Sequence, residues 1–353
     1  MQGWAVVEVG APLQEVSAPT PEPKGTEVLV EVTHCGVCHS DLYFQDGHYD
    51  LGGGKKLSLK DRGVTLPLVL GHETVGRVVK MGPDAKGVKV GDHCVVFPWG
   101  GCGSCKRCLN GNEHLCLTPA TIGVFRPGGY GSHVMVPRPS HLVDISGVDP
   151  AVAATFACSG VTAYSAIKKV MPLDADDPIV IVGGGGLGLA AVKILKALKH
   201  QAIIVVDIDK TKQETALQAG ATAAVGGKDV DTTAEIIKAA GGPVMGVIDF
   251  VNSSATAKAG FDALTKGGTL VLVGLYGGDL TVSLPLIPLS GRAIRGSYVG
   301  SLHELQELVR LARSGDLEKL PVERISQRLA NEAIDRVRKG DVKGRLVLES
   351  PSF

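Results

Sequence analysis

Two textures of hydrophobic patterning divide the chain. Over residues 5–32 apolar and polar positions alternate, with prolines at 12, 19, 21 and 23 between two strand-like runs, which predicts short β-strands. The clearest strand, 27–32, delivers the chain directly to Cys35-Gly36-Val37-Cys38-His39-Ser40-Asp41. Residues 66–92 are rich in β-branched side chains punctuated by glycines at 71, 76, 82, 87 and 91, the pattern of small strands joined by tight turns. Strand-like runs recur at 128–136 and 141–145. Beyond residue 150 the texture changes: 150–167 predicts a helix, and from there strands alternate with helices, as in a parallel α/β sheet. Strands are expected at 178–182, 202–206, 244–251, 269–273 and 293–299, with helices at 189–198 and 255–264. An amphipathic helix at 303–313 presents Leu305, Leu308, Val309 and Ala312 on one face, and a helix at 332–338 precedes a last strand at 345–349.

The strand at 178–182 runs into Gly183-Gly184-Gly185-Gly186-Leu187-Gly188, so the glycines at 183, 185 and 188 satisfy G-x-G-x-x-G in the context that pattern needs, between a strand and a helix. The next strand ends at Asp207, nineteen residues beyond Gly188, where a dinucleotide fold places the acid that holds the adenosine ribose hydroxyls. A bare glycine pattern is weak evidence; strand, glycines, helix, strand and terminal acid together predict a dinucleotide site. A carboxylate at 207 would repel a ribose 2′-phosphate, which favours NAD over NADP.

Length and composition change this picture little. At 353 residues there is room for two cores, and 44% hydrophobic with 20% charged residues describes a globular protein. Zero formal net charge without a basic run excludes the electrostatic footprint of a nucleic-acid binder. The apolar stretches read as broken by glycine or charge before membrane-spanning length, and Met1-Gln2-Gly3-Trp4 begins no signal peptide, so no membrane partner and a cytoplasmic location are expected.

Eight cysteines in a reducing compartment point to ligands, catalysts or core thiols. Cys102, Cys105, Cys108 and Cys116 fall at spacings of two, two and seven residues, which suits four thiolates on one tetrahedral ion. Structural zinc is the expectation, and a redox or disulfide cluster is its alternative. His72-Glu73, at a glycine turn, is weak evidence alone; with Cys38 upstream and Cys158 downstream it becomes a candidate metal set of two sulfurs and one imidazole.

These pieces resemble, over nearly the full length, the zinc-containing alcohol dehydrogenases of the medium-chain dehydrogenase/reductase family. The carrying motifs are Gly36-Val37-Cys38-His39-Ser40-Asp41, Gly71-His72-Glu73-x2-Gly76-x5-Gly82-x2-Ala85, Gly91-Asp92, the four-cysteine lobe and the glycine loop with Asp207. The resemblance implies an α/β chain with a GroES-like, mostly-β catalytic domain over 1–157 and 300–353, and a Rossmann doubly wound parallel sheet over 158–299. It implies two zinc ions per chain and NAD. Cys38, His72 and Cys158 would hold the catalytic zinc with one open position, the Cys2His set for which alcohol dehydrogenase is the standard example. Glu73 would approach that metal during exchange, Asp41 would orient His72, and Ser40 would take the substrate proton. His39, Gly183, Gly185, Gly186, Leu187, Gly188, Asp207, Val273 and Arg345 would bind the cofactor, His39 and Arg345 at its pyrophosphate. Cys35 and Cys94 remain as buried thiols.

The chain departs from the family in three places. Tyr43 stands where many relatives have the histidine that completes the proton relay, so the relay here runs through water or another group. Thirty-four positions separate Cys38 from His72, more than in the shorter microbial enzymes; the extra residues, 49–63, read as a loop that reshapes the pocket, meets a neighbouring subunit or is a tolerated surface insertion. The segment 116–131 is short, which resembles the tetrameric microbial branch and implies a homotetramer. Tyr43, Pro98 and Trp99 are expected to wall the pocket, implying an apolar or aromatic alcohol or its aldehyde as the small-molecule substrate. A polyol or amino-alcohol dehydrogenase of the same family, and a non-enzymatic NAD sensor, are the alternatives.

Overall fold

The alternating N-terminal pattern builds a sheet around one long strand, Val28–Val37, in a computed structural model that describes residues 1–226 and 230–350. That strand pairs antiparallel with Glu73–Met81, with His133–Val136 and with the C-terminal strand Arg345–Glu349. His93–Val96 and Leu142–Asp144 extend the sheet on one side, and Val322–Ser326, which sequence patterning missed, pairs in parallel with Arg345–Glu349 on the other. Gln2–Val6, Gln14–Ser17 and Leu68–Val69 form a smaller sheet of three strands. The small strands expected between 66 and 92 are instead dominated by one nine-residue strand, Glu73–Met81. Gly76 does not turn the chain there: a Cβ on it would lie 2.1 Å from the Glu31 carbonyl oxygen, so glycine permits the close pairing with Val28–Val37.

The second texture forms a six-stranded, wholly parallel sheet in the order Ala223–Val225, Ile203–Val206, Ile179–Val182, Val244–Asp249, Leu264–Leu272, Ala293–Gly296. This order reverses direction between Ile179–Val182 and Val244–Asp249, where an open α/β sheet leaves its ligand crevice. All four residues of Ile179–Val182 are at most 3% exposed, burial that stabilises by about 1.5–3 kcal/mol per side chain. The helix Gly186–Ala197 starts three residues earlier than expected, directly on the glycine loop, because Gly188 tolerates a backbone approach no other residue would: its Cβ would fall 1.8 Å from the Gly183 carbonyl oxygen.

A single apolar run, Pro150–Val170, joins the two sheets. Asp149 caps it by accepting the Ala151 and Val152 amide protons, and it passes from α-helix (Pro150–Thr155) through one π turn (Phe156–Gly160) back to α-helix (Val161–Val170). Contrary to the sequence expectation, this run is long and apolar enough to span a membrane, but 89% of its apolar window is buried inside the protein. One hydrophobic core runs from Phe97 and Trp99 past this helix to Ile181 and Leu195, so the two sheets pack on shared side chains.

Candidate active site

Cys38 ends the central strand and is followed by the helix His39–Asp46. Asp41, in the first turn, accepts the Cys38 amide proton (2.9 Å) and the Tyr130 hydroxyl proton (3.1 Å) through Oδ2, which leaves Oδ1 3.2 Å from His72 Nδ1. One carboxylate therefore fixes both the strand-to-helix turn and the imidazole that faces it. Cys158 rides on the π turn of the linking helix, its sulfur 3.9 Å from that of Cys38. The donor atoms of Cys38, His72 and Cys158 all lie within 4.8 Å of one another, and all three residues are buried.

The chemistry of this set fits a metal. His72 Nε2 is buried with no hydrogen-bond partner, a state that costs about 1–3 kcal/mol and that a bound metal ion would relieve. The sulfurs are far beyond the ~2.05 Å of a disulfide. The contact between the two sulfurs lowers the Cys38 pKa, against its burial, and raises that of Cys158. Burial opposes charge on His72, but Asp41 and Cys38 outweigh it and raise its pKa.

Glu73 and Arg345 sit behind this set. Glu73 Oε1 accepts the Ser159 amide proton (3.0 Å) and Oε2 takes the Arg345 guanidinium (2.5 Å), both residues being buried, so the carboxylate stands outside the three-donor group. Burial raises the Glu73 pKa and Arg345 opposes the rise. Arg345 also lies under the glycine loop: a Cβ on Gly186 would meet its Cδ at 2.7 Å and Nη1 at 3.4 Å. It therefore links the metal-type donor set to the phosphate-type loop, with its charge neutralised by Glu73.

A cleft of about 1210 Å³ opens between the two sheets. Cys38, Ser40 and Cys158 line one part of it, and Gly183, Gly185, Gly186, Leu187, Gly188 and Asp207 another, with His39 and Val273 also on its wall. Asp207 Oδ2 accepts the Gly184 amide proton (2.8 Å) and Oδ1 that of Asp209 (2.9 Å), which pins the carboxylate at the end of its strand. Of the pocket residues expected from sequence, Tyr43 and Trp99 line the cleft; Trp99 is anchored by donating its indole proton to the Ala157 carbonyl (2.8 Å). Tyr49 and Arg62, from the inserted segment 49–63 for which reshaping the pocket was one expectation, also line it; sequence reasoning missed Thr162, Asn252 and Tyr298. Tyr298 follows the last parallel strand, and the rule that ligands sit at the carboxyl ends of such strands was the available signal.

The four-cysteine lobe lies on the far side of Trp99 in the chain. Its sulfurs are 3.4 Å (Cys105 to Cys108), 3.8 Å (Cys105 to Cys116) and 3.9 Å (Cys102 to Cys108) apart, around the ~3.8 Å edge of a tetrahedron with 2.3 Å zinc–sulfur bonds. All eight cysteines are unbridged. Hydrogen bonds led by that from the Ser104 hydroxyl bring the Cys102 thiol down to about 5, which favours the thiolate a metal needs. Four thiolates would leave no open position.

Residues 24–147 match the family described as alcohol dehydrogenase GroES-like domain, and residues 186–314 match the zinc-binding dehydrogenase family. An NAD-dependent alcohol dehydrogenase of Sulfurisphaera tokodaii is 37% identical over 350 residues, 99% of each chain. The chain belongs to the zinc-containing alcohol dehydrogenases of the medium-chain dehydrogenase/reductase family. The enzyme is also 31% identical to a D-arabinose 1-dehydrogenase (NADP(+)) of Saccharolobus solfataricus, over 96% of this chain and 94% of that one. Among solved structures, the alcohol dehydrogenase of Aeropyrum pernix superposes with a TM-score of 0.88 at 29% identity, covering 99% of this chain and 100% of the other. Membership makes the enzyme a zinc- and NAD-dependent oxidoreductase of alcohols.

Proposed function

We propose that the enzyme moves a hydride between the carbinol carbon of an alcohol and NAD in the cleft, with Cys38, His72 and Cys158 as the catalytic metal ligands and the four-cysteine lobe as the structural site. The observation that carries this reading is the buried, unpartnered His72 Nε2, on a residue grouped within 4.8 Å of the Cys38 and Cys158 donors, two residues that line a cleft also containing the glycine loop. Zinc held there would act as a Lewis acid that lowers the alcohol pKa or polarises a carbonyl, and NAD would accept or return the hydride. Asp41 fixes the His72 ring, Ser40 takes the substrate hydroxyl proton from the cleft wall, and His39 with the amides of the glycine loop holds the cofactor phosphates. Arg345, neutralised by Glu73, supports the loop from behind. A sensor would have no use for a second, three-donor site, so catalysis is the better account of the buried set.

Tyr43 does not replace the relay histidine. Its hydroxyl donates to the Leu275 carbonyl (3.0 Å) and burial raises its pKa, so it is a committed donor and a poor proton acceptor. Ser40→Ala is expected to lower kcat by about 10²-fold or more, the usual contribution of a positioned proton-transfer group, and Tyr43→Phe by less than about threefold. Equal damage from the two substitutions in steady-state assays would defeat the assignment.

Asp207, with both oxygens already held by amides, presents negative charge where an NADP 2′-phosphate would have to sit. NAD is expected to be preferred over NADP by at least about tenfold in kcat/KM, given that like charges in contact cost several kcal/mol. Measuring alcohol oxidation with each cofactor in turn checks this, and a preference for NADP would overturn it.

The chain is read as two domains, 1–157 with 300–353 and 158–299, the last three residues lying outside the described ones. The boundary falls in the linking helix beside Cys158; limited proteolysis that first cut inside either unit, rather than between them, would argue against it. A homotetramer in the cytoplasm is the proposed state: the edge strand Ala293–Gly296 is unpaired on one side and stands near Leu284 (78% exposed) and Leu289 (75% exposed) in sequence. Sedimentation and cell fractionation test these two points.

A further inference from the structure

The residues inserted between Cys38 and His72 do not form a detached surface loop. His48–Asp50 and Lys56–Ser58 pair as a short hairpin, and Gly52 at its tip packs so tightly on Gly278 that a Cβ would lie 2.7 Å from the Gly278 Cα. The hairpin therefore reaches the loop that follows the parallel-sheet strand Leu264–Leu272. Its base brings Tyr49 to 5.1 Å from the Tyr43 ring and 6.3 Å from the Phe44 ring, and the Arg62 guanidinium to 5.8 Å from the Tyr49 ring centroid. Tyr49, Arg62 and Tyr298 share the cleft wall with Cys38 and Cys158.

The charge at this wall is unbalanced. Among the described residues no carboxylate lies within ion-pair distance of Arg62. The two acids on the cleft wall are both committed elsewhere: Asp207 holds the glycine loop, and Glu304 accepts the Ser301 amide proton (2.7 Å) as a helix cap. Burial keeps the Tyr49 phenol protonated, and a neutral phenol donates. An exposed guanidinium beside a phenol, on a cleft wall that also carries Tyr43, Phe44 and Trp99, offers a planar fork and an extra donor to one anionic group.

We propose that Arg62 and Tyr49 form a carboxylate-binding subsite in the substrate pocket, so that the preferred substrates are alcohols, or the matching aldehydes, that carry a carboxylate beyond an apolar spacer. A single guanidinium with a neutral donor matches the single charge of a carboxylate better than the two of a phosphate monoester. This rests on the assignment of Cys38, His72 and Cys158 as the reacting end of the pocket. In the reaction the carbinol carbon gives its hydride to NAD and the hydroxyl gives up its proton, so the alcohol becomes an aldehyde while the carboxylate passes through unchanged. Arg62 is a specificity residue; it touches the substrate away from the bonds that change.

The test compares matched pairs with the zinc-loaded enzyme: 4-(hydroxymethyl)benzoate against 4-methylbenzyl alcohol, and ω-hydroxycarboxylates of graded length against the parent alkanols. The wild-type ratio of kcat/KM, charged over neutral, is expected to reach tenfold or more for at least one spacer. Arg62→Met should bring that ratio to about one through a raised KM for the acid, and Arg62→Lys should recover part of it. Equilibrium binding of 4-methylbenzoate to the NADH complex, followed by tryptophan fluorescence, should weaken about tenfold in Arg62→Met. If neutral alcohols are oxidised with NAD while the ratio stays near one in the wild type, the subsite is wrong and the proposed reaction stands. If neither class is oxidised, the proposed reaction fails, and the binding titration alone decides the subsite: equal affinity in wild type and variant overturns it.

Discussion

Cys38→Ser is expected to lower alcohol-dependent NADH formation by at least about 10³-fold and to reduce the zinc content from two ions per chain to one. The effect follows from what the three-donor set supplies. A Lewis acid at the reacting oxygen contributes several kcal/mol of transition-state charge stabilisation, and each 1.36 kcal/mol is about tenfold in rate. Cys38 is the ligand whose loss is felt most widely: its sulfur lies 3.9 Å from that of Cys158, its amide is held by Asp41, and Asp41 in turn faces His72. Serine keeps the size and the amide contact but replaces a zinc-binding sulfur by a hydroxyl that binds zinc poorly, so the fold should persist while the metal leaves. Metal analysis with a thermal melt separates the cases. A variant that retained both ions, or one that kept a tenth of the activity with a single ion, would show that Cys38 is not a ligand of the reacting metal.

How far the sequence carries toward this site depends on whether the signal is local. The glycine loop, its flanking strands and Asp207 were legible because the phosphate site is built from contiguous backbone, and the parallel sheet followed from short apolar runs between glycines. The four-cysteine lobe was legible as a ligand set by its spacing; Cys38, His72 and Cys158, distant along the chain, were a candidate set by residue type alone, and the resemblance supplied their catalytic role. The helix His39–Asp46 was missed because its buried residues include Asp41 and Gln45, which blunt the amphipathic pattern. The strand Val322–Ser326 was missed because it is mostly exposed and derives its pairing from Arg345–Glu349 rather than from its own side chains. Gly76 misled in the other direction, since a residue that reads as a turn serves strand-to-strand approach. The Arg345–Glu73 pair was beyond reach: nothing local says that a basic residue in the last strand turns inward to a carboxylate 272 positions earlier.

Cys105→Ser is expected to act first on stability and assembly, lowering the melting temperature by roughly 5–10 °C and releasing one zinc, with the activity of the surviving assembled fraction largely preserved at moderate temperature. The four-thiolate lobe has few apolar contacts of its own; Leu109, Leu115 and Leu117 in and beside it are 71%, 41% and 84% exposed. Its shape therefore depends on the metal, and structural zinc in small modules contributes about 10–16 kcal/mol of binding energy that is also folding energy. The loss should be well short of that because the lobe has a second anchor. Glu113 accepts the Gly101 amide proton (2.9 Å), pairs with Arg138, and lies 3.2 Å from buried His141, which fixes one side of the lobe to the strand region whatever the metal does. A loss of about 2–3 kcal/mol at a few degrees per kcal/mol gives the expected shift. Asn112, His114 and Leu115 also line the cleft, so opening of the lobe should raise KM before it touches kcat. Light scattering, zinc content and steady-state rates on the same preparation check the sequence of effects. A Cys105→Ser enzyme that melted and assembled like wild type yet had lost its kcat would place the reacting metal in the lobe and remove Cys38, His72 and Cys158 from that role.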